Sequence, residues 1–167
     1  MTLTRRTLPA VLAGAALVPA LAACGGGGGA AAAATPHHAT INLRSEGSLG
    51  KVLVDSSRRT LYLFGKDRGG RSACSGACAQ NWPPAVVSGK PTAGSGVTSS
   101  KLGTTTRSDG KRQVTYNGHP LYRFKGDSKA GQANREGLTA FGGIWDVVSA
   151  AGARVTARSS NTGAGAY

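Results

Sequence analysis

Leu21-Ala22-Ala23-Cys24 carries the plainest chemistry in this sequence. Small residues before a cysteine, behind an apolar run from Leu8 to Leu21 and a basic start at Arg5 and Arg6, make a lipobox. Its thiol is the acceptor for acylation, and Cys24 becomes the first residue of the mature chain. A retained membrane span is the competing reading. A spanning helix wants about 20 apolar residues, and this run is shorter and holds Pro9 and Pro19. Both Sec and twin-arginine export fit the Arg5-Arg6 start. The chain is therefore expected on the outer face of the cell membrane, held there by lipid.

Cys74 and Cys78 are the remaining thiols, an even pair in an oxidising compartment, which makes a disulfide the default. The ring is small, so loop closure stabilises by only about 2 kcal/mol. A metal site or a redox pair using Cys74 and Cys78, with His119 as a third group, is the alternative. His119, just after a turn, reads equally as a solvated side chain. His37 and His38 sit in a low-complexity stretch without further ligands nearby. The seven carboxylates are scattered and form no acid/base pair. No Gly-x-Ser-x-Gly, His-Glu-x-x-His or Walker A sequence occurs, so neither a catalytic residue nor a cofactor is implied.

Lys plus Arg outnumber Asp plus Glu, 20 to 7. Signal removal takes two arginines and no acid, so the mature chain stays strongly basic. Such charge speaks to solubility and to anionic partners rather than to fold. Lys111, Arg112, Arg123 and Lys125 are the candidates for contact with anionic wall polymers or phospholipid headgroups. The bland reading is a solvated face. Nucleic acid is disfavoured by the expected location.

The elements that hold these groups are short strands broken by Gly, Ser, Asp and Pro clusters. The divisions are a signal at 1–23, a Gly/Ala-rich tether at 24–40, a folded part at 41–158 and a disordered tail at 159–167. Strands are predicted at Lys51–Val54, Thr60–Phe64, Gln113–Tyr116, His119–Phe124 and Ile144–Val148, with weaker ones at Ile41–Leu43 and Val86–Val87. Asn117-Gly118 between two apolar runs predicts a hairpin, because that pair tolerates φ > 0 at both turn centres. A helical turn is predicted around Ser75–Trp82, stopped by Pro83-Pro84.

Leu61-Tyr62-Leu63-Phe64-Gly65-Lys66-Asp67 recurs 60 positions later as Leu121-Tyr122-Arg123-Phe124-Lys125-Gly126-Asp127. Each copy is trailed by a tryptophan near a Val-Val pair, Trp82 and then Trp145. Two repeats, about 51–88 and 112–149, are too small to fold alone and should bury their apolar faces against each other. Along a strand Tyr62 and Phe64 share a face, as do Tyr122 and Phe124. That face should point inward with both tryptophans, leaving the Leu121 and Arg123 face wet. Asp67 and Asp127 fall just past each strand and can accept backbone N–H groups in a turn; a carboxylate pair for a ligand is the sharper reading.

At these residues the chain resembles the bacterial secreted-repeat lipoproteins. The resemblance rests on the lipobox, the doubled Tyr-x4-Asp, and Cys74-Ser75-Gly76-Ala77-Cys78-Ala79 leading to Trp82-Pro83-Pro84, and it covers residues 51–149. It implies a surface lipoprotein of tandem repeats and supplies no catalytic residues. The expected fold is mainly β: two hairpin-based repeats packed into one small antiparallel domain with little helix.

Overall fold

A computed structural model describes residues 38–155. The signal, Cys24, most of the tether with His37, and the tail at 159–167 lie outside the described residues. Ten strands and one short helix follow in order: β1 Thr40–Ser45, β2 Lys51–Val54, β3 Tyr62–Phe64, α1 Ala77–Asn81, β4 Val86–Val87, β5 Thr92–Ala93, β6 Leu102–Thr106, β7 Arg112–Tyr116, β8 His119–Pro120, β9 Leu138–Ala140 and β10 Gly143–Val147. The fold is mainly β, with two repeats. No helix among the described residues is long and apolar enough to cross a membrane.

The strands pair as β2-β1-β5, β3-β10-β9 and β4-β7-β6, with β8 also on β7. All pairings are antiparallel except β1 with β5. Asn117 and Gly118 have φ of 49° and 79°, so the β7–β8 turn takes the left-handed form that Asn-Gly favours.

The two repeats are exchanged. β10 of the second repeat lies on β3 of the first, with Trp145 opposite Phe64. Reciprocally, Pro84 of the first repeat bridges Tyr122 of the second, and the Arg123 N–H donates to the Pro83 carbonyl at 2.9 Å. At the centre, the Tyr62 and Tyr122 backbones donate to each other's carbonyls, both at 2.9 Å. Flanking bonds come in matched pairs. Leu61 donates to Leu53 as Leu121 does to Val114, and Val148 donates to Leu61 as Ala85 does to Leu121. The copies are thus related by an approximate two-fold through the Tyr62–Tyr122 pair. Each completes the other's sheet.

Both faces of the central strands are buried. Val52, Val54, Tyr62, Phe64, Trp82, Tyr122 and Trp145 make one cluster. Leu53, Leu61, Leu63, Val114, Tyr116 and Leu121 make a second, against Leu43 and Leu102. The expectation of a wet Leu121/Arg123 face is therefore corrected. Leu121 is fully buried, and the side chain of Arg123 is only 21% exposed. Leu121 packs with Ile41 and Leu43 of β1 and Leu102 of β6, and Arg123 is held by Asp55. β6, β5 and β9 are not among the predicted strands, and β1 is predicted only weakly.

Candidate functional site

The repeated motif acts across the two-fold. Tyr62 donates its phenol to Asp127 Oδ2 at 2.6 Å, and Tyr122 donates to Asp67 Oδ2 at 2.8 Å. Each tyrosine therefore reaches the aspartate of the other repeat. The second oxygen holds the turn after the strand, as the sequence suggests: Asp67 Oδ1 accepts from the Ala73 N–H at 2.7 Å, and Asp127 Oδ1 from the Asn134 N–H at 3.2 Å. Burial pushes both phenols well above the ordinary tyrosine range, and the facing carboxylates add to it. Burial also lifts Asp67 to about 6, against the N–H of Ala73, the phenol of Tyr122 and the Arg107 guanidinium, which favour the charged form.

Between these pairs lies a stack of four rings. Trp82 and Trp145 stack at 3.9 Å and 4°, Phe64 covers Trp145 at 4.1 Å, and Phe124 tilts over Trp82 at 4.8 Å. Tyr62 meets Trp82 edge-on and Tyr122 meets Trp145 likewise, at 5.2 and 5.1 Å. Phe124 is only partly buried, and Arg135 lies 5.2 Å over its ring. The motif residues thus build the interior that joins the repeats.

Cys74 and Cys78 form a disulfide across the start of α1, with Cα atoms 5.3 Å apart, and both are buried. His119 is exposed and lines a cavity with Asp67 and Arg154. Among the described residues no three His, Cys, Asp or Glu side chains gather as a metal set.

Carboxylates and cations are sorted by depth. Asp55, Asp127 and Asp146 are buried, and Glu136 accepts from the Val147 N–H. Lys111, Arg112 and Lys125 are exposed and form no ion pair among the described residues. Lys111 and Arg112 line a groove of about 580 Å³ with Val86, Val87 and Gly110, beside the edge strand β4. Arg112 also donates to the Thr104 hydroxyl at 2.8 Å. Arg123 behaves differently. Its Nε donates to Asp55 Oδ2 at 2.6 Å, and that pair, with the Arg59 N–H, holds the Asp55 carboxyl below its usual range despite burial.

A family model described as a secreted repeat of unknown function matches residues 44–86 and again 103–149. This chain belongs to that family. No curated protein and no solved structure matches the chain. Both matched segments of the secreted repeat begin before the Tyr-x4-Asp strands: the first takes in the end of β1 and all of β2, the second β6 from Gly103 and all of β7.

Two features of this secreted repeat escape a reading by motif. One is the exchange of tyrosines, since Tyr-x4-Asp suggests a partner within the copy. The other is Arg107, one basic residue among many in the sequence, which is only 6% exposed. Thr104-Thr105-Thr106 before Asp109-Gly110, a β-branched run and a turn pair, mark the hairpin that carries it but not its burial.

Proposed function

We propose that this protein is a non-catalytic envelope module, lipid-anchored through Cys24 on the extracytoplasmic face of the membrane, that contacts anionic wall polymers or phospholipid headgroups. The observation that carries the reading is the sorting of charge by depth. Most carboxylates are engaged inside, so the surface is more cationic than the composition alone indicates. The β6–β7 turn concentrates the effect, with Lys111 and Arg112 beside the apolar floor of Val86 and Val87. A groove with the exposed Val86 at its floor and cations along its edge suits a surface carrying spaced negative charges. The reading assigns no chemistry to the Tyr-Asp pairs, which hold the repeats together. Nor does it assign any to the disulfide.

The test is co-sedimentation with phosphatidylglycerol vesicles, phosphatidylcholine vesicles and a polyglycerol-phosphate matrix. Exposed charges are screened beyond about 8 Å at physiological salt. Retention on the anionic supports should therefore be clear at low salt and fall steeply as salt rises. Replacing Lys111, Arg112 and Lys125 by Gln should weaken it and leave thermal stability unchanged. Salt-independent retention, or none on any anionic support, would contradict the proposal.

A further inference from the structure

Arg107 is a buried cation with a poor anionic partner. Its nearest carboxylate is Asp109 at 3.5 Å, with a side chain 44% exposed. Its other bonds go to neutral oxygens: Nη1 to Ser72 Oγ and Gln113 Oε1, and Nη2 to the Cys74 carbonyl, each at 2.8 Å. A guanidinium has five N–H groups, so one Nη2 N–H has no acceptor among the described residues. The desolvation cost of a buried charge is offset best by a well-placed opposite charge; Asp109 is loosely placed, and Asp67, whose carboxyl feels the Arg107 charge, forms no ion pair with it.

The same side chain lines a cavity of about 490 Å³, together with Arg71, Ser72, Thr105, Thr106 and Ser108. Two arginines and four hydroxyl-bearing residues line one space, and no Asp or Glu is among them. Hydroxyls and guanidiniums together suit a tetrahedral oxyanion, since guanidinium matches its oxygens in pairs and hydroxyls adapt to the remainder. The volume falls within the range of small-molecule sites, about 300–1,000 Å³. It exceeds what a bare phosphate fills.

We infer that this cavity binds a phosphoryl group, as a phosphomonoester or phosphodiester, with Arg107 and Arg71 as the charged donors. The inference rests on the proposed contact with anionic envelope material and names the group that is recognised. Arg107 also ties Ser72, and through it the Tyr122–Asp67 pair, to the site: Ser72 Oγ lies 2.8 Å from the Tyr122 phenol. Asp109 competes with the ligand for Arg107. Its Oδ1 also accepts the Lys111 N–H at 3.1 Å.

The test is calorimetric titration of the purified full-length protein with inorganic phosphate and with glycerol 3-phosphate at low salt. Phosphatidylglycerol vesicles serve as a separate arm. Saturable one-site binding is expected, at a Kd of about 1 mM or tighter. Arg71→Gln, at an exposed residue, should weaken it about tenfold, as loss of one charge-assisted bond does. Asp109→Asn should tighten it. Lys111→Gln with Arg112→Gln should lower vesicle retention and leave phosphate affinity unchanged. Tighter binding of glycerol 3-phosphate than of phosphate, without vesicle retention, would support the site with a soluble ester as its ligand and overturn the proposed surface contact. No saturable binding of either small probe, or equal affinity in Arg71→Gln, would overturn the site even if the vesicles are retained.

Discussion

Replacing Tyr62 by Phe removes one oxygen from the interior and tests the exchange between repeats. The phenol is fully buried and lies 2.6 Å from Asp127 Oδ2, on a carboxylate only 2% exposed. Hydrogen bonds to charged groups contribute about 1.5–3 kcal/mol, and water cannot replace the lost donor at a site this enclosed. A loss of about 2–3 kcal/mol is expected, with the upper end favoured by burial. For a domain of this size that lowers Tm by roughly 6–12 °C. The assay is urea unfolding followed by the fluorescence of Trp82 and Trp145, whose stacked rings separate on unfolding. A double-mutant cycle of Tyr62→Phe with Asp127→Asn isolates the pair, and its coupling energy should be at least about 1 kcal/mol. Tyr122→Phe should cost less, because Asp67 is less buried than Asp127. A coupling near zero, with Tyr62→Phe as mild as an exposed substitution, would refute the reasoning.

Asp67 sets the pH response. Its carboxyl is raised in the folded state to about 6, above its ordinary value of 3.8, so its contribution to stability is full below the unfolded value and lost as pH rises through about 6. Glu136 and Asp146 are raised too and act in the same sense, whereas Asp55 is lowered and its contribution is lost only as pH falls below the ordinary range. The Tm difference between wild type and Asp67→Asn should therefore shift in favour of wild type between pH 7.5 and pH 5; no change across that interval would contradict the assignment. Arg123→Ala leaves the buried Asp55 without its shortest partner and should cost about 1.5–3 kcal/mol by denaturant unfolding, against a few tenths for Lys125→Ala. Cys24→Ala should abolish lipid labelling and release the protein from the membrane fraction; a mutant that stays membrane-bound and uncleaved would mean a retained anchor.

Local signals carried much of this fold. Asn117-Gly118 marks its turn because few residue pairs accept two left-handed conformations, and alternation assigns Tyr62, Phe64 and Tyr122 to one buried face. The doubled motif announces two repeats, and both tryptophans enter the shared interior. The partner of each tyrosine was less legible, because Tyr-x4-Asp points first to a partner within the copy, and only the packing of the two repeats brings Tyr62 to Asp127 and Tyr122 to Asp67. The wet Arg123 face failed for a different reason. Leu121 packs with Ile41 and Leu43 of β1 and Leu102 of β6, and Arg123 is held by Asp55, partners distant in sequence that alternation does not reveal. Arg107 was hidden because a lone arginine in a basic chain reads as solvated, and only the three-dimensional course of the β6–β7 hairpin folds it under Ser72 and Cys74.

The claim beneath the rest is that the two repeats are exchanged halves of one domain. It is tested most directly by producing residues 38–97 and 98–155 as separate fragments and recording amide NMR spectra of each alone and of the mixture. β3 would then lack β10, and β7 would lack β4, so neither fragment could bury its tyrosine, tryptophan and aspartate. The account predicts narrow, unfolded-type amide dispersion for each fragment and a native dispersed spectrum on mixing. A dispersed, cooperative spectrum from either fragment alone would contradict it.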